Sequence, residues 1–282
     1  MNEAAAFAKM LREPGLLVLP GAFDALSARL AVKAGARSVY MTGFGVVGAS
    51  WGVPDIGLIG PEAMAERVRA IAGAIAPVPL VADGDNGHGG PANVARLVLA
   101  YELAGAAAIQ LEDQVMPKRC GHMEGKEIVP IDVAVAKIRA ACSARRSNSF
   151  KIVARTDARA VEGLASALRR SEAFLKAGAD VLFVEAPQSE DELRSVARAF
   201  SGTPLVANMV EDGKTPWLST VVLQELGYRI ALYPITALLA AARALEGVYG
   251  KVVAGHADEV NSRMRFTEFN DAIGLADLDD SR

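Results

Sequence analysis

The sequence predicts a TIM barrel, in which eight parallel strands close into a ring surrounded by helices. The main observation is that eight pairs of a short apolar strand and a longer amphipathic helix follow one another along the 282 residues. The strands are almost wholly apolar, which is typical of strands covered on both faces. The alternative is an open, doubly wound sheet. It is weakened because no G-x-G-x-x-G turn follows the first strand.

The first four strand–helix pairs are delimited by helix start and stop signals. Pro61 suits the first turn of the second helix, and Gly35 suits the end of the first. The predicted pairs are residues 15–21 with 24–35, 38–43 with 61–75, 78–85 with 91–105, and 107–113 with 131–146.

The last four pairs continue this pattern without a linker or a low-complexity segment. They are residues 150–158 with 164–178, 180–186 with 190–200, 204–209 with 215–227, and 229–234 with 235–253. We therefore predict a single domain over residues 1–282, in which residues 256–282 form a helical appendage. This appendage carries an apolar stripe that we expect to pack on a neighbouring subunit. The stripe consists of Phe266, Phe269, Ile273 and Leu275.

The composition argues against several classes of protein. A formal net charge of -3 without a basic block disfavours a nucleic-acid partner. Two cysteines are too few for a disulfide framework, so we expect a reduced, cytoplasmic setting. The N-terminal segment lacks the apolar core of a signal peptide, and no run reaches the ~18 apolar residues of a membrane span.

Polar residues occur where each strand is predicted to end. In a TIM barrel these positions meet at one rim, which carries the active site. They are Thr42 and Gly43 after strand two, Asp83 and Asp85 after three, Glu112 after four, Arg155 and Asp157 after five, Glu185 after six, Asn208 after seven, and Pro234 and Thr236 after eight. Clustered carboxylates need a cation, and oxygen ligands suit Mg²⁺ or Mn²⁺. The alternative is that each acid caps the next helix or forms a structural ion pair.

The D-x-D pair of Asp83 and Asp85 is the predicted metal anchor, because residues two apart in a regular strand face the same way. The sequence has no H-x-x-x-H or C-x-x-C spacing, which argues against zinc, and it has neither a G-x-S-x-G nor a Walker A motif. The glycine-rich segment GFGVVG follows strand two without an immediate helix. We interpret it as a loop whose backbone amides can bind a carboxylate or a phosphate.

A long segment without clear periodicity, residues 114–129, follows strand four on the predicted active face. Long loops there often close over substrate. The segment places Cys120 directly after Lys118 and Arg119, and nearby cations lower the pKa of a thiol. Cys120 is therefore a candidate proton donor or nucleophile, and the alternative is an inert exposed thiol. The other cysteine, Cys142, lies in a predicted helix and is interpreted as a packing residue.

Several motifs together resemble the isocitrate lyase and phosphoenolpyruvate mutase superfamily. PKRCGH is similar to its K-(K/R)-C-G-H signature, and further blocks occur in the family's order. These blocks are GVPDIGL, VADGDNGHGG, LEDQVMPKRCGHMEGK, VARTDARAVEGL, FVEAP, ANMVEDGKTP and LYPITA. The resemblance covers about residues 10–276. Within the superfamily the chain looks most like the short lyases, which act on 2-methylisocitrate or 2,3-dimethylmalate or belong to the petal-death type.

The resemblance implies a fold, an assembly and a reaction. The family fold is a TIM barrel whose C-terminal helices pack on, and are exchanged with, a neighbouring subunit of a homotetramer. The reaction is a reversible, Mg²⁺-dependent cleavage of a 2-hydroxy diacid, here 2-methylisocitrate or an alkyl-substituted malate. The products are an α-keto acid, such as pyruvate or glyoxylate, and a succinate-like or other small acid. The partner implied is thus a small di- or tricarboxylate.

The resemblance also assigns roles to individual residues. The metal would be served by Asp83 and Asp85, with Asp55 and Glu112 supporting its water shell. Cys120 would be the general acid on a lid that also carries Lys118, Gly121 and His122, and Arg155 would bind a substrate carboxylate. Tyr40 is a candidate base, or else a core tyrosine. The remaining substrate-binding positions are Thr42, Gly43, Phe44, Glu185, Asn208, Pro234 and Thr236.

Other activities of the superfamily remain alternatives. Phosphonomutases and oxaloacetate decarboxylases of the family lack the lid cysteine, and oxaloacetate hydrolases carry a serine where this chain has Pro234. A non-catalytic, metabolite-binding barrel is disfavoured by the set of Asp85, Lys118, Cys120 and Arg155. The C-terminal segment MRFTEFNDAIGL resembles the petal-death and mutase branches, which favours a malate with a small alkyl group.

Overall fold

The computed structural model describes residues 2–119 and 124–275. Eight parallel strands pair in sequence order, and the eighth pairs with the first to close the barrel. The predicted TIM barrel is therefore confirmed, and the open-sheet alternative is excluded. The strands are β1 Leu17–Ala22, β2 Val39–Met41, β3 Leu80–Asp83, β4 Ala108–Glu112, β5 Lys151–Thr156, β6 Val181–Val184, β7 Leu205–Asn208 and β8 Ile230–Tyr233.

Helices follow every strand, and several begin at a recognisable signal. Pro61 and Pro91 occupy first turns, and the side chains of Asp24, Ser189 and Ser219 cap their helices. The helices are α1 Glu3–Met10, α2 Ala25–Lys33, α3 Gly43–Trp51, α4 Pro61–Ile75, α5 Pro91–Leu103, α6 Ile131–Ala144, α7 Ala158–Glu162, α8 Leu164–Lys176, α9 Glu190–Ala199, α10 Thr220–Leu226, α11 Thr236–Val253 and α12 Phe266–Ala272. In the described ranges, none has the length and apolar character of a membrane span.

The core has two layers because each strand is apolar on both faces. One layer fills the space between the strands and the outer helices, and the other fills the barrel interior with side chains such as Leu19, Val153 and Phe183. The interior layer continues into α1, where Phe7 and Leu11 pack against it. Helix α1 therefore closes the N-terminal end of the barrel and leaves the C-terminal end for a cavity.

The GFGVVG segment differs from its interpretation as a loop, because it forms the first turns of α3. The Thr42 side chain accepts a hydrogen bond from the backbone N–H of Gly45 at 3.3 Å, which caps the helix. Val46 and Val47 are buried against the barrel. Burial and the cap therefore outweigh the low helix propensity of glycine. The first-turn amides remain at the rim, but they belong to a helix N-terminus.

Helix α11 follows β8, yet none of its 18 residues is buried in this chain. As a consequence, Val18 on the outer face of β1 is 42% exposed and borders an open groove of about 410 Å³. The stripe predicted in the appendage is also exposed. It consists of Phe266, Phe269, Ile273 and Leu275. Both helices thus present apolar side chains that this chain does not cover.

Candidate active site

A cavity at the C-terminal rim of the barrel brings together most of the predicted site residues. Strand ends and the loops that follow them supply its walls, as the fold requires. The lining consists of Tyr40, Thr42, Phe44, Asp55, Asp83, Glu112, Lys118, Arg119, Arg155, Phe183, Glu185, Asn208, Val210, Leu232, Pro234 and Ile235. Acids and cations line one part, and apolar side chains line another.

Asp83 and Asp85 are adjacent at this rim, but not because they share one face of a strand. Strand β3 ends at Asp83, and Asp85 has a left-handed backbone with φ 50°. The side chain of Asp83 is occupied by three protein donors, the N–H groups of Gly43 and Asp85 and the amide of Gln110. Asp85 is consequently the carboxylate that is less occupied by the protein, and its unusual backbone is typical of functional positions.

The buried acids around the cavity need nearby positive charge to stay ionised. Burial raises the pKa of Asp55 to about 6, against the opposing charge of Lys118. Burial also raises the pKa of Asp83, with a further contribution from Asp85, and raises the pKa of Glu112 well above its usual value. Because burial disfavours the charged form of each carboxylate, a cation in this cluster would stabilise the ionised acids.

Lys118 supplies part of that charge. Its Nζ lies 2.5 Å from Oδ2 of Asp55 and 2.6 Å from Oδ1 of Asp85, and the three side chains are buried. Burial alone would lower the pKa of Lys118, but Asp85, Glu112 and Asp55 together raise it well above its usual value. The lysine is therefore held as an ammonium group at the predicted metal anchor.

The donor set fits a hydrated Mg²⁺ ion. Among the described residues, Oε1 of Glu112 is buried without a hydrogen-bond partner. Oδ1 of Asp85 there has the ion pair with Lys118, whose geometry is not that of a hydrogen bond. Within the described ranges, no three His, Cys, Asp or Glu side chains converge to enclose a metal directly. One or two carboxylates and several waters are the shell that Mg²⁺ prefers, so these residues suit it better than they suit zinc.

Arg155 is held in the cavity by carboxylates on three sides. Asp157 accepts hydrogen bonds from its Nε at 2.9 Å and its Nη2 at 3.0 Å. Glu112 also lies 3.4 Å from Nη2, and Glu185 lies 3.3 Å from Nη1. The ring of Phe183 lies 5.3 Å below the guanidinium carbon. The guanidinium is thereby held in one orientation, and its bidentate Nε–Nη2 edge is already paired with Asp157.

Asp157 also connects the cluster around Arg155 to the segment that carries Lys118. Its Oδ1 accepts a hydrogen bond from Nζ of Lys126 at 2.7 Å, and both side chains are fully buried. Asp157 was among the polar strand-end positions in the sequence but was given no role in the site, although it lies in the ARTDA motif two residues after Arg155. That spacing was the available signal, but the partner at Lys126 is 31 residues away in sequence and could not be inferred from it.

Tyr40 is placed as a hydrogen-bond donor. Its hydroxyl donates to Oε1 of Gln110 at 2.9 Å, and Nε2 of Gln110 donates to Oδ1 of Asp83 at 3.3 Å. Burial raises the pKa of Tyr40 well above its usual value, and the neighbouring Asp83 adds to this. A phenol in that state keeps its proton at neutral pH, so the geometry favours an orienting role for Tyr40 over the alternative of a base.

The start of α3 contributes the carboxylate-binding segment implied by the resemblance. Thr42 and Phe44 line the cavity, and Gly43 directs its N–H to Oδ2 of Asp83 at 3.3 Å. A Cβ atom on Gly43 would lie 2.8 Å from that oxygen, so only glycine fits without displacing the acid. This close approach explains the glycine at the second position of the segment.

The remaining predicted site residues divide into three groups. Glu185, Asn208 and Pro234 line the cavity, and Nδ2 of Asn208 lies 3.3 Å from both carboxylate oxygens of Glu185. Thr236 is the exposed first residue of α11 and is not part of the lining. The third group consists of Cys120, Gly121 and His122, which lie outside the described residues.

Comparisons with known proteins agree with this arrangement. A family model described as phosphoenolpyruvate phosphomutase matches residues 7–253. A 2,3-dimethylmalate lyase of Eubacterium barkeri is 43% identical over 277 residues, which are 98% of this chain and 95% of that protein. A 2-methylisocitrate lyase of Bacillus subtilis (strain 168) is 44% identical over 247 residues, which are 88% of this chain and 80% of that protein.

Solved structures show the same relationship in three dimensions. A trigonal crystal form of 2,3-dimethylmalate lyase, described as a PEP mutase/isocitrate lyase superfamily member, matches with a TM-score of 0.95 and 36% identity over 100% of this chain and 94% of that one. A phosphonopyruvate hydrolase in complex with oxalate and Mg²⁺ matches with a TM-score of 0.88 and 30% identity over 99% and 98%. Fold, motif order and these matches over nearly the whole chain show that the protein belongs to the PEP mutase/isocitrate lyase superfamily.

Proposed function

We propose that this protein is an oxo-acid lyase that cleaves a carbon–carbon bond of a 2-hydroxy diacid. The observation that carries the proposal is the cavity in which Arg155 and Lys118 face buried carboxylates beside an apolar wall. The two named lyases, at 43% and 44% identity, support the reaction class. The products would be an α-keto acid, such as pyruvate or glyoxylate, and a succinate-like or small acid.

We propose Mg²⁺ as the cofactor, with Mn²⁺ as a substitute. Asp85 would be the direct ligand, and Asp55, Asp83 and Glu112 would hold its water shell. When bound, the ion supplies positive charge for the hydroxyl and carboxylate oxygens of the substrate and lowers the pKa of that hydroxyl. The related phosphonopyruvate hydrolase structure, which contains oxalate and Mg²⁺, supports this assignment.

The residues of the chain would divide the remaining work. Arg155 binds one substrate carboxylate, and Lys118 places an ammonium beside the charge that develops as the carbon–carbon bond breaks. The substrate hydroxyl gives its proton to solvent and its oxygen becomes the carbonyl of the α-keto acid, while the electron pair of the broken bond stays with the succinate-like fragment. Cys120 then delivers its proton to the carbon of that fragment, which completes the acid product.

The apolar part of the cavity supports a small alkyl substituent on the substrate. The apolar lining consists of Phe44, Val210, Leu232, Pro234 and Ile235. Such a wall stabilises a methyl or ethyl group by burying it, so we propose an alkyl-substituted malate, with 2-methylisocitrate as the second candidate. The low cysteine content supports a cytoplasmic setting for this metabolite enzyme.

A keto-acid release assay tests the function. We expect the purified protein with Mg²⁺ to release pyruvate or glyoxylate from 2-methylmalate or 2,3-dimethylmalate faster than from malate, with 2-methylisocitrate tested in parallel. Chelation with EDTA should stop the release, and added Mg²⁺ or Mn²⁺ should restore it. Release of oxalate from oxaloacetate without cleavage of any malate would contradict the proposal and favour a hydrolase.

We also propose that the protein forms a homotetramer in which α11 and α12 pack on a neighbouring subunit. The support is that α11 buries no residue in its own chain while β1 leaves Val18 exposed. An exposed apolar helix face next to an uncovered strand is the pattern expected of exchanged elements.

Light scattering tests the assembly with a matched pair of variants. Tyr249 on α11 and Val221 on α10 are 62% and 63% exposed, so an aspartate at either position should leave the barrel folded. We expect Tyr249→Asp to lower the mass below that of a tetramer and Val221→Asp to leave it unchanged. A tetrameric Tyr249→Asp variant would contradict the exchange of α11.

A further inference from the structure

Gln114 is a buried side chain at the base of the segment that carries Lys118. Only 1% of its surface is exposed. Its Nε2 donates to the backbone carbonyl of Arg119 at 2.8 Å, and its Oε1 accepts from the backbone N–H of Arg119 at 2.9 Å. The side-chain amide therefore pairs with both backbone groups of one residue, as a neighbouring strand would.

The backbone of Gln114 is itself fixed to the acidic side of the cavity. Its carbonyl accepts a hydrogen bond from Nδ2 of Asn86 at 3.2 Å, and it forms an antiparallel bridge with Ile128. Asn86 directly follows Asp85, and its own carbonyl accepts from Nζ of the buried Lys137 at 3.0 Å. These contacts do not involve Lys118, so Gln114 holds its position independently of the group that it constrains.

Lys118 depends on this connection because its own contacts lie at the far end of a flexible side chain. Its Nζ reaches Asp55 and Asp85 through a flexible four-carbon stem, so the position of the backbone decides whether the ammonium can reach both acids. The pairing of Gln114 with Arg119 closes a ring around residues 115–118 and thereby restricts the backbone that precedes the paired residue.

We propose that Gln114 is a positioning residue, which fixes the Lys118–Arg119 peptide so that the ammonium of Lys118 lies between Asp55 and Asp85. The catalytic meaning of this placement rests on the proposed lyase function, but the placement itself does not. Misplacement of a group by about 1 Å can cost about 10²-fold in rate. We therefore expect Gln114→Ala to lower kcat by about 10- to 100-fold, with a smaller change in KM.

Two substitutions of Gln114 and one control substitution distinguish a positioning role from a general loss of stability. Gln114→Ala removes both hydrogen bonds. Gln114→Glu keeps the acceptor but sets a carboxylate oxygen against the carbonyl of Arg119. Gln224→Ala is the matched control, because the Gln224 side chain also bonds a backbone N–H, that of Leu16 at 3.1 Å, but does not line the cavity.

The primary readout is chemical labelling of lysine, which needs neither substrate nor metal. Lys118 is 3% exposed, so acetic anhydride should modify it far more slowly than the exposed Lys9 in the same protein. Loss of both hydrogen bonds in Gln114→Ala, or of the donor together with carboxylate–carbonyl repulsion in Gln114→Glu, should raise the modification of Lys118 about tenfold or more. The Gln224→Ala variant should show the wild-type ratio of the two lysines.

Two further measurements complete the test. In a Lys118→Ala background, Gln114→Ala should cause no additional loss of kcat, because both changes remove the same contribution. In the wild-type protein, hydrogen exchange should show a protected amide at Arg119. That last measurement decides the matter even if the Gln114 variants do not fold.

The labelling and exchange experiments test the role of Gln114 separately from the proposed lyase function. If no diacid is cleaved but the Gln114 variants expose Lys118, the lyase assignment is wrong and the positioning role stands. Unchanged labelling of Lys118 in folded Gln114 variants overturns the positioning role, and so does a rapidly exchanging Arg119 amide in the wild-type protein.

Discussion

Replacing Arg155 by methionine is expected to abolish carbon–carbon cleavage and to lower the free energy of unfolding by about 3–5 kcal/mol. The guanidinium lies among Asp157, Glu112 and Glu185, all of them buried. Methionine fills a similar volume but leaves these acids without their shared cation. The predicted loss of stability therefore arises from uncompensated charge, and the loss of activity from the missing carboxylate-binding group.

The neighbouring Arg159 provides the control for this prediction. It also makes a bidentate ion pair, with Glu192 at 2.8 and 2.6 Å, but the two side chains are 19% and 21% exposed. Solvent screens this pair, so Arg159→Met should cost about 0–1 kcal/mol and leave turnover near the wild-type value. Urea unfolding and keto-acid release measure both effects. Equal destabilisation by the two substitutions would contradict the role assigned to the cluster around Arg155.

Replacing Cys120 by serine is expected to reduce turnover by about 10²–10⁴-fold while substrate still binds. Serine is close in size, but its hydroxyl is a far weaker acid than a thiol, so it cannot deliver a proton to the carbon at a useful rate. Binding depends on Arg155 and the metal site, which the substitution leaves in place. Calorimetric titration with substrate measures binding, and keto-acid release measures turnover.

The same substitution at the other cysteine is the control. Cys142 lies on α6, where a Cβ on Gly178 would approach its sulfur to 3.3 Å, and burial raises the pKa of this thiol. It is thus a packing residue, and Cys142→Ser should retain turnover. A fully active Cys120→Ser variant would remove the proton-donor role from the mechanism.

The sequence alone predicted the barrel because its signals are local. Each strand is a short apolar run and most helices begin at a proline or a capping side chain, so the order of elements follows from neighbouring residues. The acids and Arg155 were found for the same reason, since strand ends meet at one rim. Eight consecutive strand–helix pairs were then enough to predict that the sheet closes into a barrel.

The parts that were missed depend on contacts between distant segments. Helix α3 is rich in glycine, and the burial of Val46 and Val47 together with the Thr42 cap makes it helical. Asp85 reaches the rim through a left-handed backbone that the D-x-D spacing does not reveal. Gln114 gave no signal in isolation, because its role arises from its pairing with Arg119 and from the support of Asn86.

The uncovered outer face of β1 has a consequence for how the protein keeps its fold. The first and last strands meet there, and no residue of α11, the helix that follows β8, is itself buried within this chain. If a second chain covers this seam, as the proposed tetramer requires, the stability of the seam obeys mass action. The melting temperature should therefore rise with protein concentration, and dilution should weaken the barrel first along the β1–β8 junction.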